Sequence, residues 1–140
     1  MAANTPRLEH LNPKELLSFE GLSQVVRTQS GNTVYLAGQA PFNPSFELLG
    51  GDDFKAQATA TLKNVAAAVN AAGGSPADVV SSTVYIKGLS GARSGQFFEA
   101  MAQALDGMPF PAHAFSIIGV AELGAPEQLI EISAIAVIQA

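Results

Sequence analysis

Short runs of apolar, β-branched residues alternate along the chain with two longer stretches of helical periodicity. The strongest strand pattern lies in residues 109–140, where two such runs flank a loop that contains Gly124 and Pro126. Runs of this composition bounded by glycine and proline are typical of strands. The first run begins at Pro111, where the missing amide donor of proline costs little. The sequence therefore predicts two strands here, at 111–120 and 129–138.

Three further strands are predicted near the N terminus. Residues 1–6 are expected to be frayed, and residues 7–11 to form a short edge strand. Residues 23–29 and 33–39 are both strand-like, and Ser30-Gly31-Asn32 between them has the chemistry of a tight turn. We therefore predict that these two strands form a hairpin.

Apolar residues recur at helical spacing over residues 54–72, which predicts a long amphipathic helix. Asp52 and Asp53 precede it as N-capping residues. Gly73-Gly74 follows, and glycine takes the left-handed conformation that ends a helix at little cost.

A strand is predicted at residues 79–87, and a second helix at residues 94–105. In that helix Phe97, Phe98 and Met101 share one face. Each helix joins two strands and can cross over between them in the usual right-handed sense.

Two helices can cover only one face of such a sheet. The last strand is nevertheless apolar on both faces over its second half, because Ala134 and Ala136 alternate with Ile135 and Val137. A second copy of the same sheet is the simplest candidate to cover the other face. We therefore expect a closed homo-oligomer with clefts between its subunits.

The composition supports a single domain over residues 1–140 with a covered surface. A chain of 140 residues is long enough for one core. It is 48% hydrophobic but only 14% charged, against about a quarter in ordinary domains. This shortage of charged side chains suggests that another subunit covers part of the apolar surface.

Three further observations predict a cytoplasmic protein without a membrane partner. No apolar run approaches the roughly 18 residues of a membrane span. The first ten residues lack the apolar core of a signal peptide. Cysteine is absent, which excludes disulfides and thiol chemistry.

The charge distribution argues against a nucleic-acid partner. The formal net charge is −5, and the 7 lysines and arginines are scattered along the chain. Nucleic-acid binding needs local positive charge to displace counterions.

Several familiar chemistries are excluded by their motifs. Residues 88–95 are glycine-rich but lack the Gly-Lys-Ser/Thr ending of a phosphate-binding Walker loop. Residues 91–95 do not form a nucleophile elbow, because their serine is one place too late. Two histidines far apart and no cysteine argue against a zinc site. We expect neither a metal nor a cofactor.

Two ionisable side chains, His113 and Glu131, interrupt the apolar C-terminal strands. Such groups cost free energy when they leave water, so a strand rarely carries them without a partner or a task. His113 either faces a cleft or is a hydrogen-bonded histidine of the core. Glu131 lies at an exposed strand end or holds a water or a ligand. Together they can act as an acid–base pair on a small molecule. His10, in the edge region, is expected to be a surface residue.

Segments along most of the chain match, in order, the motifs of a known family. They are Ser23–Val26, Gly31–Gln39, Gln57–Gly74, Asp78–Lys87, Pro111-Ala112 and Ile130–Val137. The last of these and the Gly-Asn-Thr-Val-Tyr-Leu-Ala-Gly-Gln segment are fairly specific together. On these segments the chain resembles the Rid proteins, the YjgF-type reactive-intermediate enamine/imine deaminases.

The resemblance implies an α+β fold like that of bacterial chorismate mutase, with two helices packed on one face of a mixed sheet. It also implies a homotrimer whose sheets form a central β-barrel, with sites between subunits. In the deaminating members an arginine after Pro-Ala binds the carboxylate of a 2-imino acid, and here that position holds His113. Glu131 matches the position that is thought to orient the attacking water.

Other positions of the predicted substrate pocket also depart from the family pattern. Leu22 replaces a tyrosine, Ala37 a serine, Ser90 a common asparagine and Phe115 a cysteine or threonine; with Gly38, they are the predicted substrate-binding residues. The pocket is therefore more apolar and lacks a carboxylate clamp, because histidine does not offer the paired hydrogen bonds of arginine. Such a pocket prefers a less charged, aromatic or aliphatic ligand.

Two hypotheses follow for the function. The first is an enzyme that hydrolytically deaminates, hydrates or tautomerises a small enamine, imine or carbonyl compound, with His113 and Glu131 as catalytic residues. The second is a non-catalytic trimer that binds a small hydrophobic ligand or serves a partner enzyme. The endoribonuclease activity sometimes attached to this family is disfavoured by the acidic charge.

Overall fold

The computed structural model describes residues 7–139. Its strands and helices in chain order are β1 (Leu8–Leu11), β2 (Val25–Thr28), β3 (Asn32–Tyr35), α1 (Phe54–Ala71), β4 (Val79–Lys87), α2 (Gly91–Gln103), β5 (Ala114–Val120) and β6 (Ile130–Ile138). A short 3₁₀ turn, Pro76–Asp78, precedes β4. The main sheet has the strand order β3-β6-β4-β5. Strand β6 is antiparallel to both β3 and β4, while β4 and β5 are parallel.

The predicted hairpin between the second and third strands is wrong. Strand β2 pairs with β1 in a separate two-stranded sheet, and β3 pairs with β6, so that Asn32 lies opposite Ile138. Gly31, with φ +124°, passes so close to β6 that a Cβ there would lie 2.7 Å from the carbonyl oxygen of Ile138. The turn was predicted from local chemistry, whereas the partner of a strand is chosen by the apolar surface available to it.

The predicted long helix is confirmed as α1. The side chain of Asp53 accepts a hydrogen bond from the amide of Ala56 at 3.3 Å and caps the helix. The helix ends before Gly73, whose φ is +93°. Its buried apolar face packs on the sheet, and consists of Phe54, Ala58, Leu62, Val65, Ala66 and Val69.

Helix α2 begins three residues earlier than predicted because Ser90 is its N-cap. The hydroxyl of Ser90 accepts a hydrogen bond from the amide of Arg93 at 3.1 Å. The helix connects the parallel strands β4 and β5 and buries Phe97 and Met101. Burying each such side chain contributes about 1.5–3 kcal/mol.

Both helices pack on one face of the main sheet. Side chains on the other face are more exposed to solvent. On the helix side lie Val84, Ile86, Ile130 and Ile132, all at most 2% exposed. On the open side Tyr35 is 77% exposed. The α+β fold with two helices and mixed strand directions is thus confirmed, while the trimer and its central barrel stay predictions. Within residues 7–139, no helix is long and apolar enough to cross a bilayer.

Candidate functional site

His113 lies in the core, directly before β5, and is 3% exposed. Its Nε2 is 2.8 Å from Oγ of Ser82 on β4, and its Nδ1 is 2.9 Å from the carbonyl oxygen of Pro111. The rings of Phe110 and Phe115 lie 5.5 Å from the imidazole, centroid to centroid. Of the two environments open to His113, the structure therefore selects the hydrogen-bonded core.

Burial lowers the pKa of His113 below its ordinary value of 6.5, because the charged imidazolium loses its hydration. The hydrogen bond to Pro111 raises the pKa and the nearby charge of His10 lowers it, both by less. The imidazole is therefore neutral at pH 7 and is unsuited to binding a carboxylate by charge.

A surface groove of about 290 Å³ lies beside this histidine. Leu22 forms a parallel bridge with His113, and the amide of Ser23 donates to the carbonyl oxygen of His113 at 2.9 Å. The groove is lined by Leu22, Ser23, Gln24, Ser81, Ser82, Thr83, Ala114, Phe115 and Ser116. None of these side chains is charged, so the groove suits an uncharged ligand. We call these residues, with His113 beneath them, the groove half-site.

Glu131 has a different environment on β6. It alternates with the core residues Ile130 and Ile132, so it points to the open face, where its neighbour on β4 is Tyr85. Its Oε1 accepts a hydrogen bond from Nε2 of Gln128 at 3.2 Å. Its Oε2 lies against Gly38, where a Cβ would overlap this oxygen. We call Gly38, Gln128 and Glu131 the carboxylate half-site.

The two predicted catalytic residues are not brought together within one chain. His113 contacts Ser82 on the helix-facing side, whereas Glu131 lies opposite Tyr85, three residues further along β4 and on the other face. An odd offset along a strand reverses the direction of the side chain. A direct acid–base pair of His113 and Glu131 therefore does not form inside the chain.

The predicted substrate-binding residues are also distributed over different places in the chain. Leu22 and Phe115 line the groove half-site. Gly38 contacts Glu131, and the exposed Ala37 precedes it. Ser90 caps helix α2 and belongs to neither half-site. His10 is exposed, as predicted, and its Nδ1 is 2.7 Å from Oγ of Ser23.

Three polar residues of the site region were missed at the sequence level. Ser82 binds His113, Gln128 holds Glu131, and Gln57 anchors the loop that carries Gln128. All three are at most 7% exposed. Only Gln57 has apolar neighbours on both sides in the sequence, so this signal was present for Gln57 alone. Among residues 7–139, no group of three or more histidine, aspartate or glutamate side chains is arranged to hold a metal.

The chain is similar in sequence and in fold to known proteins. Residues 13–138 match the family model Ribonuc_L-PSP, described as endoribonuclease L-PSP. The RutC family protein PH0854 of Pyrococcus horikoshii is 37% identical over 68 residues, which are 49% of this chain and 52% of that protein. The match thus spans about half the length of this curated relative.

Two further relatives are matched over nearly their whole length. A 2-iminobutanoate/2-iminopropanoate deaminase of Dermatophagoides farinae is 30% identical over 139 residues, covering 92% of this chain and all of that protein. The crystal structure of YyfB from Yersinia pestis, described as a protein of unknown function of the conserved Rid protein family, superposes with a TM-score of 0.84. It is 34% identical, and the match covers 95% of this chain and 100% of that one.

Proposed function

The chain belongs to the Rid (YjgF) family, and from this premise we propose that it hydrolyses a small uncharged imine or enamine to a carbonyl compound and ammonia. The observation that carries the proposal is the environment of Glu131. Gln128 holds one carboxylate oxygen at 3.2 Å, while the other faces Gly38, which has no side chain. Among the described residues, no cation forms an ion pair with this carboxylate. A half-buried carboxylate of this kind is suited to accept a proton from water.

The proposed reaction uses this carboxylate as a base and then as an acid. Glu131 takes a proton from water while the water oxygen bonds to the imine carbon, and the π electrons of the C=N bond move to nitrogen. The nitrogen takes the proton from Glu131 to give a carbinolamine. Glu131 then takes the hydroxyl proton and passes it to the amine nitrogen; the oxygen forms the C=O bond as the C–N bond breaks, and ammonia and the carbonyl compound leave. An enamine enters the same sequence after tautomerising to the imine, in which its β-carbon gains a proton and its nitrogen loses one.

Two features support an uncharged substrate. His113 is neutral and hydrogen-bonded within its own chain, so it does not replace a carboxylate-binding arginine. The negative Glu131 would also repel a substrate carboxylate placed near it. The 2-imino acids in the name of the Dermatophagoides relative carry such a carboxylate.

The proposal includes a homotrimer in which the groove half-site of one copy meets the carboxylate half-site of the next. It is supported by the separation of the two half-sites within one chain. Apolar side chains on the open face of the main sheet, including Ile135 and the 43% exposed Ile118, supply a surface for association.

Ammonia release tests the proposed activity. An uncharged aldimine is generated in place from butylamine by an amine oxidase, and 2-iminobutyrate is generated from 2-aminobutyrate by an amino acid oxidase. We expect the protein to accelerate ammonia release from the aldimine more than from the imino acid. Glu131→Gln lowers this acceleration by about 100-fold or more, because the base is lost. Gly38→Ala acts in the same direction by displacing the carboxylate.

Glu127→Gln is the matched control, because that exposed glutamate lies four residues away. Its activity should equal that of the native protein. Equal acceleration by the native protein and Glu131→Gln would remove Glu131 from the mechanism. No acceleration with any imine would favour a second candidate, a non-catalytic protein that binds an uncharged ligand. The placement of His113 in the core, where it serves the fold, favours that candidate.

A further inference from the structure

Gln128 is a buried glutamine at the end of the loop before β6, and it is only 2% exposed. Its Nε2 donates to the carbonyl oxygen of Ile130 at 3.0 Å and to Oε1 of Glu131 at 3.2 Å. A carbonyl oxygen and a carboxylate oxygen can only accept, so the amide must face both with its nitrogen. The two protons of Nε2 satisfy these two acceptors, and none remains for a ligand.

The loop on either side of Gln128 is fixed by Gln57 of α1. Nε2 of Gln57 donates to the carbonyl oxygen of Glu127 at 3.0 Å, and its Oε1 accepts from the amide of Leu129 at 2.8 Å. A side chain on a backbone that is held on both sides, and buried itself, has little freedom to move. The donor that Gln128 presents is therefore preorganised.

The two carboxylate oxygens of Glu131 consequently have different surroundings. Oε1 accepts from Gln128. Within residues 7–139 no donor is hydrogen-bonded to Oε2, which lies beside Gly38. The lone pairs of Oε2 are thus the ones left to take a proton.

We propose that Gln128 is a positioning residue, which fixes the carboxylate of Glu131 through Oε1 so that Oε2 takes the proton from water. The inference rests on the proposed function in one respect, that Glu131 is the base. Without the donor, the carboxylate turns about its side-chain bonds and spends part of its time in unproductive orientations. Misplacement of a reacting group by about 1 Å can lower a rate about 100-fold.

Gln128→Met tests this role, because methionine has a similar length but no N–H donor. The aldimine supply is varied, and we expect kcat for ammonia release to fall about 10- to 100-fold while KM stays within about 2-fold. Gln103→Met is the matched control, because Gln103 is an exposed glutamine at the end of α2, and both constants should stay unchanged. Unchanged constants in Gln128→Met would overturn the inference, as would a higher KM with an unchanged kcat.

A double variant separates positioning from a role in the fold alone. Gln128→Met added to Glu131→Gln should cause no further loss of kcat, because the carboxylate through which Gln128 acts is already absent. Losses that multiply in the double variant would show that Gln128 acts independently of Glu131, and would overturn the inference.

NMR tests the contact without any turnover and without a variant of Gln128. Both side-chain amide protons of Gln128 should resonate downfield of those of the exposed Gln103, because both are hydrogen-bonded. In Glu131→Ala one of the two should move upfield, while the proton bonded to Ile130 stays. An unchanged pair of resonances would overturn the inference even if Gln128→Met does not fold.

The combined measurements keep this inference separate from the proposed function. Turnover that depends on Glu131 but not on Gln128 would overturn the inference alone. No turnover of any imine, with the amide resonance still moved in Glu131→Ala, would overturn the proposed function and leave only the contact between the two side chains.

Discussion

At the scale of single residues, His113 and Glu131 are both ionisable side chains among apolar residues. Their environments in the structure differ. Both imidazole nitrogens of His113 have partners in the same chain. Glu131 has one oxygen held by Gln128 and the other beside the backbone of Gly38. The histidine thus belongs to the hydrogen-bonded core, while the carboxylate is the group that the proposed function uses as a base.

The lowered pKa of His113 predicts a dependence of stability on pH. The unfolded chain binds a proton on this histidine near pH 6.5, whereas the folded chain does so only at lower pH. Stability from this residue is therefore complete above about pH 6.5 and is lost as the pH falls toward the folded pKa, by up to about 1.4 kcal/mol per pH unit. Urea denaturation between pH 8 and pH 5 measures this slope. His113→Gln should reduce the slope, because the titrating group is lost. An unchanged slope in His113→Gln would contradict the prediction.

At the scale of elements, the first turns of α1 are hydrogen-bonded to the loop before β6. Gln57 is fully buried, and its Nε2 donates to the carbonyl oxygens of Gly51 at 2.7 Å and Glu127 at 3.0 Å. Its Oε1 accepts from the amide of Leu129 at 2.8 Å. Because Gln128 lies between these loop contacts, the helix helps to position the carboxylate half-site.

Replacement of Gln57 should therefore affect both the fold and the site. Gln57→Leu leaves buried backbone groups without partners and should lower the free energy of unfolding by at least about 2 kcal/mol. The matched control is Gln103→Leu, because Gln103 is an exposed glutamine at the end of α2, where a change within about 0.5 kcal/mol is expected. Urea denaturation of the three proteins makes the comparison. Equal stability of Gln57→Leu and the native protein would show that the amide contacts contribute little.

At the scale of the whole molecule, the proposed function combines the two half-sites from different copies of the chain. The groove lies at the junction of β4, β5 and residues 22–24, while the carboxylate half-site lies at β6 and the extension of β3. Within one chain, the side chains of His113 beneath the groove and of Glu131 point to opposite faces of this sheet. In the proposed homotrimer, the carboxylate of another chain would approach the groove to complete the site.

Mixed oligomers test this arrangement directly. Ser116→Trp fills the groove and Glu131→Gln removes the base, so each variant alone should be inactive in ammonia release. After unfolding and joint refolding of equal amounts, a cyclic oligomer with shared sites should regain about a quarter of the native activity, because that fraction of sites combines two intact halves. Light scattering on the native protein measures the number of subunits. A monomer, or no regained activity in mixed oligomers that form, would contradict the shared site.

The sequence alone determined the elements and the chemical types present in the site region. Helical periodicity and capping residues located α1, and β-branched runs located β4 and β6, because these signals are local. An imidazole and a carboxylate among apolar residues marked His113 and Glu131. Only the tertiary structure decided that β3 pairs with β6, that His113 faces Ser82 and that Gln128 holds Glu131. Each of these depends on the register between strands distant in sequence, and a shift of one residue would turn every side chain to the other face.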